Sequence, residues 1–155
     1  MPLNVIGIGS RFSGDDEIGL LLVEAIGEEN LAGVRAELWP GEDAAGIAGR
    51  LLEVEDPILL VDCADMGVDA GQMRCFTLER VRLGLHDSGV STHGLGLADA
   101  VELARILGFA QPIHLIGIQP YDLSPADGIS SAMAQRFGTL FQEVLQEVLT
   151  LAETL

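Results

Sequence analysis

The sequence contains no lysine: all eight basic residues are arginine, set against 24 acids, and the formal net charge is −16. A surface of that sign repels phosphate backbones and argues against nucleic acid as a partner. The acidity suits either a partner with a basic patch or a solubility trait of the host, and composition does not separate the two. Aromatic residues make up only 5% against 48% apolar residues overall. The core must therefore be aliphatic, as in layered α/β proteins. No apolar run approaches the roughly 18 residues that a membrane span requires. Met1-Pro2-Leu3-Asn4 has no basic region and leads straight into a strand-like segment, unlike a signal peptide. A soluble, cytoplasmic monomer is expected, with no membrane partner. Cysteine is scarce too: Cys63 and Cys75 form neither a CxxC pair nor a zinc spacing and read as two reduced, buried thiols. The sequence also lacks His-Glu-x-x-His and Gly-Lys-Ser/Thr, which opposes a zincin-type metallopeptidase and a P-loop.

What is present is a regular alternation of strand and helix patterns. A chain of 155 residues suits one domain, residues 1–155. Leu3 to Ile8 reads as a strand ended by glycines, and Asp16 to Gly27 as a helix with Ile18, Leu21, Leu22, Ala25 and Ile26 at helical spacing. Val34 to Trp39 alternates like a strand, Asp43 to Leu52 is a weaker helix, and Pro57 to Asp62 reads as a buried parallel strand ending in an acid. Gln72 to Leu78 predicts a shorter strand, followed by an irregular stretch through Thr92. A helix over Leu95 to Leu107 and a buried strand over Ile113 to Ile118 come next. Ser131 to Glu153 is a helix with Met133, Phe137, Leu140, Phe141, Val144 and Val148 on one face. This order predicts an α/β fold, a three-layer α/β/α sandwich around a mostly parallel twisted sheet.

Open parallel sheets bind ligands outside the carboxyl ends of their strands. The segments there are Ser10 to Asp16, Asp62 to Met66, and the loop ahead of Leu95. The first is no dinucleotide loop, because Phe12 occupies the third glycine position and three acids, Asp15, Asp16 and Glu17, open the helix. Taken alone, Asp15 and Asp16 read as helix caps, but one acid can cap while the other points into the cleft. Asp62, at the mouth of an apolar strand, needs a cation or hydrogen-bond donors, while Asp65 falls in a more exposed turn. His93, in Ser91-Thr92-His93 before a helix, supplies the nitrogen donor most common at transition metals. His114 reads as a satisfied core residue and His86 is unassigned. Together Asp16, Asp62 and His93 form an O, O, N set that leaves coordination positions open, and it admits nickel, zinc, iron or manganese.

The motifs resemble those of the NiFe-hydrogenase maturation endopeptidases over nearly the whole chain. The elements are Gly7-Ile8-Gly9-Ser10, Gly14-Asp15-Asp16-Glu17-Ile18-Gly19, Val61-Asp62-Cys63-Ala64-Asp65-Met66-Gly67, Ser91-Thr92-His93 and Gly117-Ile118-Gln119-Pro120. The last resembles the branch serving formate-linked hydrogenases. Three features depart from the family's pattern: Ser10 stands for an asparagine, Glu17 for a glycine, and Trp39-Pro40-Gly41-Glu42-Asp43 lacks the small-residue pattern common after the second strand.

The resemblance implies an endopeptidase that removes the C-terminal extension of a NiFe-hydrogenase large-subunit precursor once nickel is installed. Asp16, Asp62 and His93 would be its catalytic and metal-contacting residues. The metal would be a divalent ion, nickel carried by the substrate, with zinc or cadmium able to substitute in vitro. The alternative is a non-catalytic metal-binding or docking factor for hydrogenase assembly. No Ser-His-Asp order occurs and neither cysteine has a histidine nearby in sequence, which favours attack by a water over covalent catalysis.

Overall fold

The structure is a computed structural model that describes the backbone of residues 2–78, 91–92 and 97–155. Its first strand, β1 (Leu3–Gly9), is buried at every position, as expected of a strand covered on both faces. A 3-10 turn over Gly14–Glu17 leads into α1 (Ile18–Glu28), then β2 (Val34–Pro40), α2 (Ala44–Glu53) and β3 (Ile58–Asp65). The remainder is β4 (Met73–Leu78), β5 (Ser91–Thr92), α3 (Leu97–Ile106), β6 (Ile113–Ile118) and α4 (Ser131–Thr154). Asp43 caps α2 by accepting from Gly46 N at 2.7 Å, and Ser130 Oγ caps α4 by accepting from Met133 N at 3.2 Å.

The strands lie in the order β2-β1-β3-β6-β4. The first four are parallel, β4 runs antiparallel to β6, and β5 pairs antiparallel with the end of β3. Alternation along the central strands divides the core in two. Ile6, Ile8, Ile58, Leu60, Ile113 and Leu115 pack with α2 and α3, while Leu3, Val5, Leu59, Val61, Ile116 and Ile118 pack with α1 and α4. The result is the expected three-layer α/β/α sandwich. Among the described residues, no helix is long and apolar enough to cross a membrane.

The observed β3 continues to Asp65, past the expected end at Asp62, because its last residues find partners on both sides. Cys63 pairs with Ile118 of β6, and Ala64 and Asp65 pair with Thr92 and Ser91 of β5. Asp62 is therefore inside the strand rather than at its mouth, and Asp65 is its exposed last residue rather than part of a turn. At the start of α1, Gly19 lies against the sheet so closely that a Cβ there would come within 2.6 Å of the Ile8 carbonyl oxygen and nearer still to that of Val61. A side chain would lift the helix, and with it the acidic turn, away from β1 and β3.

Candidate functional site

The turn Gly14–Glu17 and the last residues of β3 meet at the carboxyl edge of the sheet. The two adjacent acids of the turn are both buried, Asp15 at 0% and Asp16 at 6% exposure, yet they do different work. Neither is a helix cap, contrary to expectation. Asp15 faces away along the chain and holds the loop that follows β6. Its Oδ2 accepts from Tyr121 N at 2.8 Å, Asp122 N at 2.9 Å and Ser130 Oγ at 3.0 Å, while Oδ1 accepts from Ser130 N at 2.7 Å. Its own amide donates to Asp122 O at 2.9 Å, so residues 13–15 and 121–130 are bound together. Because Ser130 also caps α4, Asp15 fixes the start of that helix as well.

Asp16 is left for the other side of the turn, where it neighbours Asp62. Asp62 is 5% exposed. Burial, and then the adjacent Asp16 carboxylate, hold its carboxyl well above the usual carboxylate range, against a smaller pull downward from the Cys63 backbone N–H. Two desolvated carboxylates side by side repel, and a cation between or before them would relieve both terms at once. The donor set thus fits a divalent metal. Among the described residues no cluster of three or more potential metal ligands forms. The expected third ligand, His93, lies outside the described residues, as does His86. The backbone just ahead of it is described: Thr92 pairs with Ala64, close beyond Asp62 on β3.

Cys63 is buried beside the acids. Burial, followed by the fields of Asp16, Asp62, Asp15 and Asp65, pushes its thiol far above the ordinary range, so it remains protonated and a poor nucleophile. Cys75 departs from the expectation of a buried thiol: it is exposed on the outer strand β4. There, partial burial of the sulfur and the neighbouring Glu147 and Glu143 push its pKa up to about 11. His114 is likewise not a core residue. It is half-buried and shares a 3.3 Å hydrogen bond with Thr77 Oγ1, because β6 meets only the short antiparallel β4 on that side.

Three contributions went unread in the sequence. Glu17, the departure beside the site, is engaged by Arg11, with Nη1 to Oε2 at 2.7 Å, which offsets the extra charge. Gln119 clamps the end of β3: its Oε1 accepts from Met66 N at 2.7 Å and its Nε2 donates to Asp65 Oδ1 at 3.2 Å. Phe12 is 68% exposed at the rim, with φ of 66°. The Arg11–Glu17 spacing was the only one of these signals legible locally, since the others depend on contacts between distant segments.

Comparison with known proteins places this architecture. The family model described as hydrogenase maturation protease matches residues 43–147, a stretch that includes Asp62 and begins after Asp16. The hydrogenase 2 maturation protease of Escherichia coli (strain K12) is 26% identical over 147 residues, covering 94% of this chain and 89% of that protein. The hydrogenase expression/formation protein HupD of Thiocapsa roseopersicina is 26% identical over 125 residues, with this chain spanning 57% of its length. In structure, the hydrogenase maturating endopeptidase HybD from E. coli superimposes with a TM-score of 0.68 at 22% identity, covering 99% of this chain and 93% of that one. The family match extends over more than half of the chain, and the chain belongs to the hydrogenase maturation protease family of hydrolases.

Proposed function

We propose that this protease removes the C-terminal extension of a NiFe-hydrogenase large-subunit precursor after nickel insertion, and that Asp16, Asp62 and His93 receive the substrate's metal. The observation that carries this reading is the burial of Asp62 against Asp16 at the carboxyl edge of the central strands, an arrangement unfavourable without a cation. The pairing of Thr92 with Ala64 supports the assignment of His93, the next residue in the chain. The substrate's nickel supplies the cation, with zinc or cadmium able to take its place in vitro.

Asp62 and Asp16 then have a specific task. Without a cation, burial and the neighbouring Asp16 charge favour a proton on Asp62; a bound cation stabilises its ionised form. The site therefore engages a precursor that carries metal better than one that does not. An ionised carboxylate at this edge also accepts a proton from a water aligned on the scissile carbonyl, the role of a general base. Cys63 is unsuited to attack because its thiol stays protonated.

The test is a processing reaction. Precursor with and without nickel is incubated with the protein and followed by intact mass, and loss of a C-terminal peptide is expected only from the nickel-loaded form. Asp62→Asn and His93→Ala should abolish it while melting cooperatively. Unimpaired cleavage by both variants would refute the site assignment, and equal cleavage of the nickel-free precursor would refute metal gating.

A further inference from the structure

Phe12 combines two features that are each unfavourable to the folded chain. Its backbone is in the left-handed region at φ 66°, where a bulky side chain is uncommon. Among the described residues the other non-glycine with positive φ is Asn30, a type that tolerates the region. The Phe12 ring, moreover, gains little from burial, being 68% exposed. Strain of this kind persists only where the surroundings over-determine it, and it concentrates at functional sites. Here the surroundings are explicit. Ala126 N donates to the Phe12 carbonyl at 3.2 Å, Ser13 forms a parallel bridge with Ala126, and Arg11 pairs with Glu17 at 2.7 Å across the loop. Asp15 fixes the chain directly afterwards. These ties fix the backbone that carries the ring, and the exposed ring stands beside the turn that carries Asp16.

We propose that Phe12 is a docking residue for the substrate: its ring enters an apolar pocket on the folded face of the precursor protein while the Asp16–Asp62 edge receives the metal. The inference rests on the functional reading above. A protein partner is favoured over the alternatives by charge, since a chain of net charge −16 repels both nucleic acid and anionic lipid surfaces. A rigid aromatic beside a polar site is also the type of side chain that dominates binding energy between proteins.

The experiment measures processing rates across precursor concentrations together with direct binding of the nickel-loaded precursor. Phe12→Ala should raise KM and the binding constant by about 10–30-fold, the range of a truncated aromatic anchor, with kcat within about twofold of wild type. Phe12→Leu should recover most of the affinity. Phe12→Gly should lose affinity like the alanine variant yet melt at a higher temperature than Phe12→Ala, because glycine relieves the left-handed strain. KM and binding within about twofold of wild type for Phe12→Ala would overturn the docking role and leave the protease reading intact. Binding without cleavage by the wild type, with binding lost in Phe12→Ala, would remove the cleavage reading and uphold the docking role. A wild type that neither binds nor cuts the precursor would overturn both.

Discussion

Replacing Asp15 by asparagine changes one atom, and the hydrogen-bond geometry determines what that atom costs. Oδ1 accepts from Ser130 N, and Oδ2 accepts from Tyr121 N, Asp122 N and Ser130 Oγ. An asparagine can present its oxygen to only one of these two groups. In the better orientation the amide nitrogen points at Ser130 N–H, donor against donor; in the other it faces three donors. One hydrogen bond to a charged acceptor is worth about 1.5–3 kcal/mol and a stranded buried N–H costs about 1–3 kcal/mol, and the two overlap. The expected loss is therefore about 2–4 kcal/mol. Asp15→Ala, which removes all four bonds from a residue with no exposed surface, should cost about 4–5 kcal/mol. Either is a large share of a total stability of about 5–15 kcal/mol.

The assay is urea denaturation of wild type and both variants. The midpoint should fall with the slope unchanged, and the melting temperature of Asp15→Asn should drop by roughly 4–16 °C for a chain of this size. Below its melting range Asp15→Asn should retain turnover, because its better orientation keeps the three bonds made to Oδ2, whereas Asp15→Ala, which releases the loop, should lose it. A stability within about 0.5 kcal/mol of wild type would refute the network's importance, since that is the range of an ordinary surface change.

The remaining expectations follow from single contacts. Gly19→Ala should destabilise by about 3 kcal/mol in the same urea assay, because the added Cβ meets backbone carbonyls of two central strands rather than movable side chains. Gln119→Glu should slow processing more than Gln119→Ala, since it keeps an acceptor for Met66 N but sets a carboxylate against Asp65; equal rates would show that the clamp does not matter to the site. Asp62→Asn should abolish processing yet stabilise the metal-free protein at neutral pH. The Asp62 pKa is raised in the folded state, so the native chain holds more protons than the unfolded one as pH rises above the ordinary carboxylate value, and stability falls over that window. The melting-temperature gain of the variant should thus be small near the ordinary carboxylate value and widen as pH rises above it; a gain independent of pH would contradict the cause given.

Much of the fold was legible because each central element buries a periodic apolar pattern. β1, β6 and α4 are found close to where Leu3 to Ile8, Ile113 to Ile118 and Ser131 to Glu153 predicted them. Elements whose limits depend on partners were harder to bound. β3 runs on to Asp65 because β5 and β6 pair with its end, and no local pattern in Cys63-Ala64-Asp65 announces that pairing. Cys75 was expected inside because free cysteines are usually buried, and His114 because its strand reads as apolar. Cys75 lies on the edge strand β4, where the sheet ends, and His114 lies on the neighbouring β6, half-buried and hydrogen-bonded to Thr77 of β4.

The adjacent acids illustrate where local reading of the site stops. Asp15 and Asp16 have the same chemistry, and their separation around a turn allows divergent directions, but not which acid takes which direction. That is decided by three backbone N–H groups more than 100 residues away, at Tyr121, Asp122 and Ser130, all of which converge on Asp15. Asp15 is committed to those donors, while the charge of Asp16 acts on the buried Asp62 and gives that pair a reason to hold a cation. The division of labour within the pair thus comes from the loop after β6. It follows that damage to that loop should impair Asp16 without touching it: if Asp15 lets go, the turn is free to rotate and the Asp16–Asp62 edge loses its geometry.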